Sequence, residues 1–214
     1  MPAAIRKPPK QERSRRVEKA LLRAGLRGIE KSGIAGLSMS GVAAQAGASI
    51  GSLYLRFGDK SQFVGAVLAV TLDEFRDQTF ALCDLAARRK WTERRILEGW
   101  VDVLLDLVRR RRTLVREMIS HMAAQPHSWD PIHERRREME DRLFSVLSAS
   151  RGRRRSNTEM MRLRIGLQAV TGVLIHMAVV DPGPLRIDDR SARDTLCDLL
   201  FSFIDAKKKN GRQC

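Results

Sequence analysis

Between Ser38 and Lys60, besides the carboxylate of Asp59, the side chains able to make directed polar contacts are Ser38, Ser40, Gln45, Ser49, Ser52, Tyr54, Arg56 and Lys60. They are hydroxyls, an amide, a phenol and two cations, groups that hydrogen-bond to bases and phosphates. The stretch itself, SMSGVAAQAGASIGSLYLRFGDK, reads as two short helices joined by a tight turn, then the start of a third. Ser38 can cap the first helix by accepting from an unpaired backbone N–H. Val42, Ala43 and Ala46 share one face of it. Gly47 ends it, because glycine takes positive φ without steric cost. Ser49 can cap the second helix, in which Leu53 and Phe57 point inward at i, i+4 spacing. Asp59 caps the helix that follows, with Lys60 in its first turn. Helix, glycine turn, helix is the sequence form of a helix-turn-helix, whose second helix lies in the DNA major groove.

The pattern Val42-Ala43-x-x-Ala46-Gly47-x-Ser49-x-Gly51-x-Leu53-Tyr54-x-x-Phe57-x-x-Lys60 resembles the DNA-binding signature of TetR-family transcriptional regulators. The resemblance covers the N-terminal quarter of the chain and implies roles position by position. Ile50, Gly51 and Ser52, in the first half of the recognition helix, face base edges. Ile50 offers apolar contact to a thymine methyl, and Ser52 can hydrogen-bond to several bases. Tyr54 and Lys60 match phosphate-contacting positions, and Ser38 adds a phosphate contact to its capping role. Arg56 stands where relatives often carry histidine or another polar residue. Ser40 stands where relatives often carry arginine. Gln45 and Ser49 complete the DNA-binding set.

Charge agrees with a polyanionic partner. Forty Lys and Arg oppose 25 Asp and Glu among 214 residues, a net +15 and a pI near 10.9, and such an excess attracts phosphate at long range. A basic membrane-surface or RNA-binding protein would share that charge but not the spacing of the motif. Cys83, Cys197 and Cys214 are far apart in sequence and show no metal spacing, which fits a reduced, cytoplasmic chain. MPAAIRKPPK lacks the apolar core of a signal peptide. The longest apolar run, near Val173 to Val180, is too short to span a membrane and contains His176.

Around the motif the spacing predicts an all-α protein. Residues 1–13 form a basic disordered arm whose Arg6, Lys7 and Lys10 attract phosphates. A helix over 14–31 carries Val17, Ala20, Leu21, Ala24 and Ile29, with Arg13, Arg15, Arg16, Lys19, Arg23 and Arg27 on its remaining surface. It completes a three-helix helix-turn-helix domain over 14–62. A helical regulatory and dimerisation domain fills 63–214. Its first helix contains Phe63, Val67, Val70, Leu72 and Phe75. Further helices are expected over 92–108, 111–124, 132–149, 158–180 and 191–208. Pro126 and Pro131 bracket a turn with Trp129, and Arg151–Arg155 make an exposed basic loop. In the last helix Leu196, Leu199, Leu200, Phe203 and Ile204 face one way, with Cys197 and Phe201 off that stripe.

No phosphate-binding glycine loop, HExxH or GxSxG occurs. His121, His127 and His133 lack ligand spacing, so neither an enzyme, a metal site nor a cofactor is expected. The two closing helices are apolar on more than one face and need more than one neighbour. This predicts a symmetric four-helix interface in a homodimer, carried by Leu167, Val170, Leu174, Leu199, Leu200 and Phe203. The resemblance further implies a small-molecule effector held between 92 and 175. Trp100, Met118, Met122, Met139, Phe144 and Met177 offer wall material. His121 or Gln168 offers a polar anchor, and the arginines at 109–112 and 135–137 suit an anionic group. The expected function is a dimeric repressor, released from a palindromic double-stranded operator by its ligand. An activator or a corepressor-dependent regulator of the same fold is the alternative.

Overall fold

The computed structural model describes residues 10–124, 130–180 and 183–205. The described residues form nine α-helices and no strand. They sort into two compact units that divide at 71/72.

The first unit holds α1 (Lys10–Ser32), α2 (Met39–Gln45), α3 (Ile50–Phe57) and the opening turns of α4 (Lys60–Arg89). Residues 10–13, expected in a disordered arm, are helical. Glu12 lies in the first turn, where the helix dipole favours a carboxylate, and pairs with Arg16 one turn on. The rest of the expected arm, with Arg6 and Lys7, lies outside the described residues. Helices of seven and eight residues such as α2 and α3 are too short to stand alone in water. Their support is a core of Leu21, Ala24 and Ile29 from α1 with Phe63, Val64 and Val67 from α4, closed by Leu37, Val42, Ala43 and Leu53. A Cβ on Gly25 would lie 2.6 Å from the Phe63 ring and 2.7 Å from Val67. The absence of a side chain there is what lets α4 approach α1. Phe57 meets Phe63 edge to face, with ring centroids 5.0 Å apart. Because Phe63, Val64 and Val67 belong to this core, the first unit extends past 62 into α4.

The second unit holds the remainder of α4 with α5 (Glu93–Arg110), α6 (Arg112–Ala124), α7 (Asp130–Arg151), α8 (Asn157–Val179) and α9 (Ala192–Ile204). α8 packs along α9 and also touches α5 and α6. α7 starts two residues before the expected Ile132, with Pro131 in its first turn. There a missing N–H leaves no helix bond unmade, so Pro131 opens the helix and does not bracket a turn. Pro126, His127 and Trp129 lie outside the described residues, as does the expected extension of α9 to Lys208. Cys83 and Cys197 are buried, and burial pushes both thiols up to about 11, so they pack as small apolar groups. Among the described residues no helix is long and apolar enough to cross a membrane.

Three expectations change in this unit. The basic run Arg151–Arg155 leaves α7 as a loop that is only partly open: Gly152, Arg153 and Arg154 are exposed, while Arg151 and Arg155 are half-buried. Arg151 reaches Glu93 and Glu159, and Arg153 reaches Glu159. The Arg155 side chain is 1% exposed, with its Nη2 2.9 Å from Glu93 Oε1. Two carboxylates hold the run against the protein. The Arg153 contact, then the Ser156 N–H, hold the Glu159 carboxyl well below the usual carboxylate range. Glu159 and Ser156 also cap α8 reciprocally, each accepting the other's N–H, at 3.2 Å and 2.8 Å. Second, α9 is rotated from the expected stripe. Cys197 and Phe201 are buried beside Leu196 and Leu200, while Leu199, Phe203 and Ile204 are half-buried. α9 packs between α8 and α5, which turns those two rows inward. Third, Leu167, Val170, Leu174 and Leu200 are buried inside the chain itself. Expected at an interface with a second copy, these four already pack in the core of the single chain.

Gly25→Val should force α1 and α4 apart. The expected loss is about 1–3 kcal/mol from overpacking, seen as a lower melting temperature of the full chain, with duplex DNA binding lost in parallel. A variant that melts unchanged removes Gly25 from the support of α2 and α3.

Candidate nucleic-acid interface

The surface built by α2 and α3 depends on three caps. Ser38 has extended backbone and its Oγ accepts the Gly41 N–H at 3.2 Å. Ser49 does the same for α3, accepting the Ser52 N–H at 3.1 Å. Asp59 accepts the Gln62 N–H at 2.8 Å and so opens α4. Between α2 and α3, Gly47 has φ of +64°, the left-handed conformation for which glycine is the default residue. These local bonds set where α2 stops and where α3 points, and Leu53 anchors α3 in the core.

α3 then presents its other side chains outward. Ile50 is 46% exposed and Tyr54 42% exposed, so Tyr54 is not a core residue. Gly51 is exposed, and a Cβ there would meet only Ser49 Oγ, at 4.0 Å. Ser52 is half-buried, and Gln45, Ser38 and Ser40 are exposed. Ser40 Oγ lies 3.0 Å from Ser38 Oγ, a shared hydroxyl pair rather than two independent contacts. Two of the expected contacts are committed inside the unit. Arg56 donates to Ser14 Oγ at 2.9 Å, which ties the end of α3 to α1. Lys60 Nζ lies 3.5 Å from the Ala35 carbonyl, a weak bond that a phosphate can displace. Sequence reading missed Leu55. It is 89% exposed between Tyr54 and Arg56, and the missed signal was its position off the Leu53–Phe57 inward pair. A leucine so open on a recognition helix suits apolar contact with a thymine methyl or a sugar.

Charge concentrates in this unit. Residues 1–71 hold 12 Lys and Arg against four Asp and Glu, so +8 of the chain's +15 falls on its first third.

The residues expected around a ligand divide. Trp100, Phe144 and Met177 share the core of the second unit, and Met122 and Met139 are buried. Met118 and His121 are half-buried. Gln168 is exposed on α8, on the side away from the core, so it cannot anchor a ligand in an interior wall. A buried hydroxyl that was not expected, Thr79 Oγ1 on α4, has no hydrogen-bond partner among the described residues. The arginines expected to receive an anion are largely engaged. Arg109 donates to the Ile187 carbonyl at 2.8 Å, Arg110 and Arg111 pair with Glu74, and Arg112 reaches the Met177 carbonyl. Arg135 pairs with Asp73 and Arg136 with Glu140.

Residues 21–67 match the family described as bacterial regulatory proteins, tetR family. No curated protein matches the chain. Among solved structures, a protein of Mesorhizobium loti assigned to the TetR-family transcriptional regulators is 20% identical, with a TM-score of 0.71 over 91% of this chain and 96% of that one. The regulator FadR of Bacillus subtilis, solved with stearoyl-CoA, is 16% identical, with a TM-score of 0.65 over 87% and 99%. A transcriptional regulator of Rhodococcus sp. RHA1 is 21% identical, with a TM-score of 0.62 over 88% and 96%. At these identities the structures share the all-helical fold.

Tyr54→Phe and Lys60→Ala should weaken binding to duplexes of every sequence, and Lys60→Ala alone should also reduce its salt dependence. Ile50→Ala and Leu55→Ala should instead change which sequence is preferred, by about 1–3 kcal/mol per lost base contact. Selection from a random duplex pool with each variant separates the two classes, and identical selected sequences for wild type, Ile50→Ala and Leu55→Ala would remove α3 from base reading.

Proposed function

We propose that this chain, which carries the DNA-binding domain of the TetR family on the fold of that family's transcriptional regulators, is a dimeric repressor released from a near-palindromic operator by a small molecule. The observation that carries the reading is the outward face of α3, where Ile50, Tyr54 and Leu55 are exposed around a buried Leu53. One such helix reads a half-site, and two-fold symmetry places a second in a later major groove.

Support for the dimer comes from the open side of α8 and α9, which keeps Leu199 and Phe203 of the six expected residues and adds others. Met161 and Ile165 are exposed on α8 at 57% and 43%, and Val179 and Val180 at its end are also open. Gly172 lies on the same side with nothing near its Cβ position, leaving room for a facing helix. Leu199 and Phe203 of α9 are half-exposed. A second copy covers these residues in a four-helix packing.

Support for an effector comes from the second unit's core, where Trp100, Phe144 and Met177 are apolar and Thr79 supplies an unpaired hydroxyl. A lipophilic ligand fits that composition. The stearoyl-CoA of the Bacillus subtilis structure makes long-chain acyl compounds the first class to screen. The ligand controls DNA binding only through a difference in its affinity for two conformations.

Because Met161 and Ile165 are exposed, Met161→Glu with Ile165→Glu should leave the fold intact, give a monomer in sedimentation and weaken operator binding. A double variant that stays dimeric moves the interface elsewhere.

A thermal-shift screen of acyl compounds, repeated with a selected operator duplex, should find a ligand that stabilises the free protein and releases the DNA. Hits that all stabilise the complex would make the ligand a corepressor.

A further inference from the structure

The outer face of α1 carries a row of cations that the operator-reading surface does not use. Arg15, Lys19, Arg23, Arg27 and Lys31 recur four residues apart, and all are exposed. Four-residue steps on an α-helix keep neighbours adjacent and advance roughly 6 Å each, so the row runs roughly 24 Å. Arg15, Lys19, Arg23 and Arg27 have no hydrogen-bond or ion-pair partner among the described residues. The second unit differs, since its Arg76, Arg94, Arg142 and Arg193 each contact a carboxylate.

The row also faces away from the rest of its unit. The inward side of α1 is defined by Gly25 against Phe63 and Val67, Gly28 against Leu37, and Ser14 against Arg56. Lys19, Arg23 and Arg27 occupy the opposite side of the helix. The start of α1 adjoins α3 through Ser14, and the row leads away from that end.

We infer that this row is a second DNA-binding surface, which holds the phosphate backbone of a duplex segment other than the one read by α3. The inference rests on the DNA-binding reading above. Its partner is identified by what the row contains and lacks. The charges are continuous over a length matching roughly seven phosphates of one strand, at about 3.4 Å each. No large apolar side chain is exposed on α1, so the face has nothing to insert into a lipid interface, no ring on which single-stranded bases could stack, and no aromatic anchor for a protein partner. Contacts of this kind are independent of sequence. A repressor built this way holds its operator with one surface and a second stretch of DNA with another, joining two duplexes.

The test uses the full-length protein and a short duplex selected by it from a random pool. With that duplex at one equivalent per operator-reading site, enough to fill those sites without excess, a labelled random-sequence duplex of equal length is added. Wild type should capture the second duplex, with a log–log salt slope of about −3 if three phosphates are engaged. Lys19→Gln with Arg23→Gln and Arg27→Gln should reduce that capture at least tenfold, while affinity for the selected duplex stays within about threefold. Exchanging the same three for the other basic residue, Lys19→Arg with Arg23→Lys and Arg27→Lys, should retain capture. The inference is overturned if wild type with filled heads captures no second duplex, or if the glutamine variant captures it undiminished. It is equally overturned if that variant loses the selected duplex in the same proportion, which would place the row inside the operator footprint. A wild type that selects no duplex at all instead overturns the DNA-binding reading itself.

Discussion

The contact between Gly25 and the ring of Phe63 is the constraint on which the first unit rests. Two helices of seven and eight residues cannot hold their own shape, since helix nucleation is unfavourable and neither is long enough to recover it. They are stable only against a platform. That platform forms where α1 and α4 lie within a side chain's width of each other, with Phe63 and Val67 filling the space that a Cβ on residue 25 would occupy. Caps at Ser38, Ser49 and Asp59 then fix where each short helix begins. Packing supplies the stability, and the caps supply the register.

A second principle of the molecule is where its carboxylates sit. A chain this rich in arginine has two ways to carry it. In the second unit many of the guanidinium groups are laid against Asp and Glu, and near the start of α8 a partly buried cluster forms in which Glu93 and Glu159 answer Arg151, Arg153 and Arg155. Those charges act as cross-links between helices. The first unit has only four acids, so most of its cations stay open to solvent and to anions. Net charge alone does not distinguish these two uses of arginine; the placement of acids does.

This also explains what could be read from the sequence. Caps and the glycine turn were legible because they are local: a serine and the N–H three residues on, or one positive φ, need no distant partner. Helix existence was legible from apolar spacing for the same reason. What could not be read was which of several apolar faces meets which neighbour. α8 and α9 are apolar nearly all round, so period alone left Leu167 and Leu174 as good interface candidates as Met161 and Ile165. Only the packing of α9 between α8 and α5 decides that the leucines are enclosed. The basic run at 151–155 is an exposed loop only in part, and the burial of Arg155 could not be read because its acid, Glu93, lies far off in the chain. Leu55 was passed over although its position off the Leu53–Phe57 inward pair marks it as outward, because a leucine is read first as core.

Leu53 is the one fully buried residue of α3, while Ile50, Tyr54 and Leu55 stand in solvent. Beyond Leu53, folding uses Phe57 against Phe63 and the cap at Ser49, and places little demand on the exposed side chains of that helix. Substitutions at positions 50, 51, 52, 54 and 55 can accumulate without passing through an unstable intermediate. A gene copy can in this way acquire a new target sequence one residue at a time while the protein's stability stays level, and the recognition specificity of such a scaffold diverges faster than its architecture.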